Sequence, residues 1–324
     1  MNTLTAKQTF TRFGLYLLLA CLASELVSLA VMLPLMAPGV LQKTVETVGP
    51  SAVFLLMYVP KFLMLLVFFL LVRKIPKCSW EKEQLRIGEL AGIFVMTYAV
   101  STVINLIGRG ISAVSPAGGS QALDTIGSMA GSGVLMGFLI PALIGPVVEE
   151  LIFRKLMIDR LRNYGERTAI VFTALCFGLF HGNLTQFLYA ACVGLFLGYI
   201  YCRTGKVLHT MLIHILLNTF SCLIMLFVPL LGGEQKVLAI LGIFLFGGLM
   251  IFMMITGFAQ LIRHLKKKDL RLDGPVTAAV PRSEVFRTVY CNAGVILFFA
   301  YSIAAIGMSL FNIELPIDWS GLAF

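Results

Sequence analysis

Residues 139–154 read LIPALIGPVVEELIFR, setting two adjacent carboxylates, Glu149 and Glu150, and the guanidinium of Arg154 inside an apolar run. Bilayer interiors penalise charge, so an ionisable side chain in a spanning segment usually faces a cavity or a partner instead of lipid. The stretch therefore bears on two questions together. It points to a chain that lives in a membrane, and it gives one part of that chain something other than lipid to face.

Outward from this segment, composition agrees. The 324 residues are 59% hydrophobic and only 13% charged, with a mean hydropathy of +0.93. Soluble domains are about half apolar and about a quarter charged. Several separate runs reach the roughly 20 apolar residues that a spanning helix needs. No alternating ten-residue pattern occurs, which sets a β-barrel aside, and helices are then the way to satisfy the backbone in lipid. The expected fold is all-α: a polytopic membrane helical bundle of about eight to nine transmembrane helices. Residues 1–324 are expected to form a single integral membrane domain.

Nine candidate spans fall near 13–35, 52–72, 88–107, 131–161, 168–186, 187–202, 207–229, 237–262 and 288–311. The fifth and sixth are short and almost continuous, either a hairpin or one bent element. Small-xxx-small spacings at Gly133/Gly137 and Gly194/Gly198 would let helices approach closely. The first span, preceded by Lys7 and Arg12, has an apolar run to Leu35, too long for a signal-peptide core, and reads as a retained anchor.

Charge placement orients the bundle. Arg73, Lys74, Lys77, Lys82 and Arg86 follow the second span; Arg160, Arg162 and Arg167 follow the fourth. Arg203 and Lys206 follow the sixth, and Arg263, Lys266, Lys267, Lys268 and Arg271 the eighth. The connectors 36–51, 108–130 and 230–236 carry few cations, so the positive-inside rule puts the amino terminus in the cytoplasm and the carboxyl terminus outside. The net charge of +9 is thus spread over loops. Without a folded basic domain, nucleic acid is not an expected partner. The polar stretch 263–287 reads as a cytoplasmic loop; its Lys266–Lys268 cluster is a stop-transfer flank or a contact for anionic head groups of the lipid bilayer. Seven scattered cysteines with no CxxC pair read as small buried side chains.

Three polar groupings interrupt the apolar pattern. Glu150 and Arg154, four apart, share a helical face and can pair, while Glu149 points about 100° away. One arginine cannot neutralise two carboxylates, which leaves one suited to acid/base work. Phe177 and His181 repeat the four-residue spacing at the end of the fifth span, and His214 and Asn218 repeat it in the seventh. Unpaired imidazoles and amides in hydrocarbon are costly, so these groups most economically pair with one another and with the glutamates. His209 and His264 lie beside basic connectors and make no comparable case. Counting inward from the charged helix ends puts Glu149 about 20 Å deep, His181 about 21 Å, His214 about 12 Å and Asn218 about 18 Å. One slab of the membrane would hold them all, in a polar chamber reached from the cytoplasm.

Glu149-Glu150-xxx-Arg154 with Phe153, then Phe177-xxx-His181, then His214-xxx-Asn218 resemble, in order and spacing, the three motifs of the CPBP family. That family comprises the CAAX prenyl endopeptidases (Rce1-like) and the bacterial Abi intramembrane proteases. Asn183 after His181 also fits, and the resemblance covers roughly residues 130–225, an Rce1-like catalytic core. It implies peptide-bond hydrolysis by water within the membrane. Glu149 would be the general base and His181 would position or share its proton. His214 and Asn218 would polarise the scissile carbonyl, and Glu150 with Arg154 would be the supporting pair.

Metal dependence stays open. Glu149, His181 and His214 are a plausible two-histidine, one-carboxylate set for zinc, yet HExxH is absent. Asn218 beside His214 suits an oxyanion site better than a coordination sphere, so no tightly bound metal is expected. A proton-coupled transporter would also carry carboxylates and histidines at mid-depth, but in repeated halves, and the triple motif occurs once. A non-catalytic bacteriocin-immunity or scaffold protein is the other alternative. The expected substrate is a peptide or membrane protein at a bacterial plasma membrane, and no feature of the sequence fixes an oligomeric state.

Overall fold

The computed structural model describes residues 5–35, 37–56, 58–78, 83–115, 140–223, 227, 230–231, 233–268, 272 and 280–311. Every regular element among them is helical, and the fold is an all-α polytopic membrane bundle. The helices are α1 (Ala6–Leu35), α2 (Val40–Val48), α3 (Pro50–Leu56), α4 (Val59–Val72) and α5 (Ile87–Ala113). After them come α6 (Gly145–Glu150), α7 (Glu166–Leu179), α8 (Leu184–Thr204), α9 (Val207–Leu223), α10 (Lys236–Lys267) and α11 (Ala293–Phe311). Among the described residues, α1, α5, α8, α10 and α11 are long and apolar enough to cross a membrane; Val59–Val72 and Val207–Ser221 are shorter apolar helices.

Several expected boundaries move, each for a local reason. The second span divides into α3 and α4, because Pro60 belongs in the first turn of a helix, where its missing N–H costs nothing. The connector 36–51 holds a helix of its own, α2. The fifth and sixth spans are a true hairpin, α7 and α8, closed at 180–183 and not at 186. There the Asn183 side chain caps α8 by accepting the Gln186 N–H at 2.8 Å, and this cap ends any continuous helix. Residues 263–267 belong to α10, not to a loop. Gly133 and Gly137 lie outside the described residues.

The fourth span is the least regular. Around α6 the chain forms π-helical turns at Ile140–Ile144 and Leu151–Ile158, then an α turn at Asp159–Leu161 and a 3-10 turn at Arg162–Tyr164. Pro141 and Pro146 each remove a backbone donor from the ladder. π turns are rare and occur often at functional sites.

Packing places this irregular helix at the centre. α1 lies against α4 and α11, α5 against α8 and α10, and α7 against α8. Phe10, Phe13 and Leu17 of α1 join Phe68, Phe153, Phe172 and Phe298 in one buried cluster. A Cβ at Gly194 would come within 2.9 Å of the Ala174 Cα, so α7 and α8 touch backbone to backbone, as the Gly194/Gly198 spacing suggests.

At one end of the bundle two of the charges read as marking loops, Arg160 and Arg162, are buried. Arg160, 2% exposed, donates from Nε to the carbonyls of Val72 (3.0 Å) and Ile75 (3.1 Å), and from Nη1 to that of Leu156 (2.9 Å). Tyr201 donates to Asp159 Oδ1 at 2.6 Å, Lys155 pairs with Asp159 at 2.8 Å, and Arg162 pairs with Glu166. Cys78 N–H donates to the Asp159 carbonyl at 2.6 Å. These contacts bolt the end of α4 to the helix that carries the carboxylates. Cys21, Cys78, Cys176, Cys192, Cys202 and Cys291 are free.

Candidate active site

Glu150 is the hub. It is fully buried and its two oxygens go to different helices. Oε1 lies 2.9 Å from His214 Nδ1 on α9, while Oε2 lies 3.1 Å from Arg154 Nε, four residues on. The Arg154 contact is an ion pair by distance without hydrogen-bond alignment, for neither atom has a hydrogen-bond partner. The guanidinium instead lies 4.7 Å over the Phe177 ring, within cation–π range.

Phe177 joins the remaining pieces. Its ring meets His181 edge-on at 5.0 Å and His214 at 5.7 Å. His181 follows α7 in the turn and fixes its own tautomer. Nδ1 lies 2.7 Å from the Phe177 carbonyl, which can only accept, so Nδ1 carries a proton and, in the neutral ring, Nε2 is an acceptor with no hydrogen-bond partner among the described residues.

Glu149 completes the arrangement from the next position of α6. Oε2 faces His214 Nε2 at 3.8 Å, a gap too long for a direct hydrogen bond. His181 also lies within its electrostatic reach. His214 thus stands between two carboxylates, one ring nitrogen directed to each. Asn218 is half-buried one turn further along α9. Asn183 serves as the α8 cap, with its amide donating to the His181 carbonyl at 3.3 Å.

One member escaped the sequence reading. Lys61 of α4 brings Nζ to 3.5 Å from Glu149 Oε1. Glu150 and Arg154 pair as their spacing suggests, but the shortage of positive charge disappears: two carboxylates meet two cations. The signal was present, since Lys61 is the only charged residue of the run VPKFLMLLVFFLLV, and an ionisable residue within an apolar span marks a functional position by default.

The zinc set does not assemble as a coordination site. Among the described residues no group of three or more His, Cys, Asp or Glu side chains gathers closely enough to hold a metal ion. As arranged, Glu149, His181 and His214 do not fit a metal.

Comparison with known proteins falls on this same stretch. Residues 131–220 match the family model described as Type II CAAX prenyl endopeptidase Rce1-like. The chain is also 28% identical over 175 residues to a Bacillus subtilis (strain 168) protein named "Putative membrane peptidase YdiL", the match covering 50% of this chain and 68% of that one. No solved structure matches the chain. The resemblance to CAAX-type membrane proteases therefore holds at family level. The matched stretch takes in Glu149, Glu150, Arg154, Phe177, His181, His214 and Asn218, and leaves Lys61 outside.

Proposed function

We propose that the chain is an intramembrane endopeptidase in which Glu149 activates water against a peptide bond of a membrane-associated peptide or protein. The observation that carries this reading is His214 held between Glu150 at 2.9 Å and Glu149 at 3.8 Å. A water placed beside that gap can bond both groups. Glu149 takes its proton, the hydroxide oxygen bonds to the carbonyl carbon, and the tetrahedral oxyanion forms. His214, which must carry a proton on Nε2 as well as the one Nδ1 donates to Glu150, and Asn218 stabilise that charge; a single donor of this kind is worth about 2.7–4 kcal/mol of transition-state energy. The C–N bond then breaks and the proton passes from Glu149 to the leaving amine. His181 positions the proton through Nε2 during both transfers. Glu150 and Arg154 act on His214, fixing the direction in which its ring points.

The setting of this reading is a bacterial plasma membrane, with the amino terminus in the cytoplasm and the chamber opening to that side. The single integral domain comprises residues 1–324, with its core at 130–225. The test is cleavage of a quenched fluorescent peptide by detergent-purified protein, with and without chelator, beside the metal content measured by mass spectrometry. Cleavage that survives metal removal and disappears in Glu149→Gln, His181→Ala and His214→Ala supports glutamate-activated water. Full activity in purified His181→Ala removes the assigned site. Stoichiometric zinc with chelator-sensitive cleavage replaces the metal-free mechanism, and a biological role left intact by Glu149→Ala favours a scaffold.

A further inference from the structure

The proteolytic reading leaves Lys61 unused, although its ammonium is the nearest cation to Glu149. Lys61 sits at the start of α4, outside the stretch that matches the family model. Its side chain is 18% exposed against 6% for Glu149, so the pair lies at the open edge of the buried cluster. Behind the ammonium is the Tyr58 ring, 5.6 Å away, on a residue that is 2% exposed. Among the described residues Glu149 is the only side chain that the Lys61 ammonium hydrogen-bonds or pairs with. An ammonium is expensive in an apolar helix, and here its cost is offset at one oxygen atom of one carboxylate.

The division of that carboxylate is the informative feature. Oε1 faces Lys61 and Oε2 faces His214 Nε2. A glutamate terminus rotates about a broad, two-fold torsion, and two equivalent oxygens would otherwise compete for the place beside His214. Fixing Oε1 leaves a single oxygen for water. Arg154 cannot do this, because it is committed to Glu150 and Phe177. α4 can, because the Arg160 bonds to the Val72 and Ile75 carbonyls hold its far end to the same helix. We propose that Lys61 is a positioning residue of this active site, holding Oε1 of Glu149 so that Oε2 alone addresses the water beside His214. The inference rests on the proteolytic reading for the identity of the reaction, and the Lys61–Glu149 pairing stands apart from it.

The experiment uses the full chain in detergent with the quenched peptide, and Glu149→Gln as the reference that abolishes cleavage. Lys61→Met is expected to lose about 10- to 100-fold in kcat, the range of one charge-assisted hydrogen bond, with KM within about twofold. Lys61→Arg should keep most of the activity, and added methylamine should restore part of it to Lys61→Ala. Unchanged kcat in Lys61→Met overturns the proposal, and so does a loss that neither arginine nor methylamine repairs, which would mark a purely structural lysine. A substrate-free arm keeps the two readings distinct: thermal unfolding of Lys61→Met, Glu149→Gln and the double variant. The double variant should lose less than the sum of the single losses, and strict additivity overturns the pairing. A wild-type protein that cleaves nothing while this coupling is present defeats the proteolytic reading alone.

Discussion

Glu150 carries two obligations at once, and substitutions can separate them. Glu150→Gln keeps the shape and still accepts from His214, but it removes the charge opposite Arg154. A drop of about 10- to 100-fold in kcat is expected from the weakened orientation of His214, read by steady-state kinetics on folded protein. Arg154→Ala instead strands a fully buried carboxylate. Breaking one side of a buried pair costs about 3–5 kcal/mol, so thermal unfolding should register a large loss. If Arg154→Ala unfolds like wild type, the pair is not structural. These residues were legible in the sequence because polar side chains at four-residue spacing stand out in apolar runs. Lys61 left the same kind of signal, a lone charge at the middle of the expected span 52–72, but the sequence names no partner for it. Only the folded chain shows that it turns inward to Glu149. The His214–Glu150 contact was equally hidden, because the spacing suggests which residues share a face but not which oxygen each will meet.

Between elements, two devices set the packing, one joining α4 to the carboxylate helix and the other joining α1 to α11. Arg160 satisfies three carbonyls, at Leu156, Val72 and Ile75. Arg160→Ala would leave those carbonyls short of donors, at about 1–3 kcal/mol for each one left buried and unpaired. It should lower the unfolding temperature and, by loosening α4, reduce kcat more than Arg160→Lys does. From the sequence this arginine counted as a loop charge; burial among carbonyls depends on chain segments 72–75 and 156–160 meeting, which local pattern does not encode. The second device is the contact of α1 with α11, where a Cβ at Gly294 would collide with the Thr11 carbonyl. Gly294→Ala must push the helices apart, at about 1–3 kcal/mol for an overpacked site. A thermal melt matching that of wild type would show that the crossing is looser than described.

For the whole molecule, the apolar surface is the first constraint. Phe244 and Phe252 of α10 are largely exposed, as are Ile87 of α5 and Leu208 of α9, and lipid is the medium in which such a surface costs nothing. The proposed orientation is checked by cysteine labelling in sealed membranes, on a background with the native cysteines removed. A cysteine at Lys268 should react only with reagent on the cytoplasmic side and one at Gly233 only with reagent outside; the reverse pattern would invert the bundle. The class of fold was legible because composition alone forces it. The subdivision of the fourth span was not, since prolines and π turns change how many residues a turn consumes without changing hydropathy. That subdivision has a mechanical meaning. Each π turn spends one residue more than an α turn, so Leu151–Ile158 works as a phase adapter between two fixed ends, the carboxylates facing His214 and the Asp159–Arg160 anchor facing Tyr201 and α4. Both ends are correctly aimed only because the helix between them is overlong for its rise. Straightening that stretch into an α-helix at unchanged length would turn one end by about 100° against the other for each surplus residue, whereas deleting one residue would relieve the surplus.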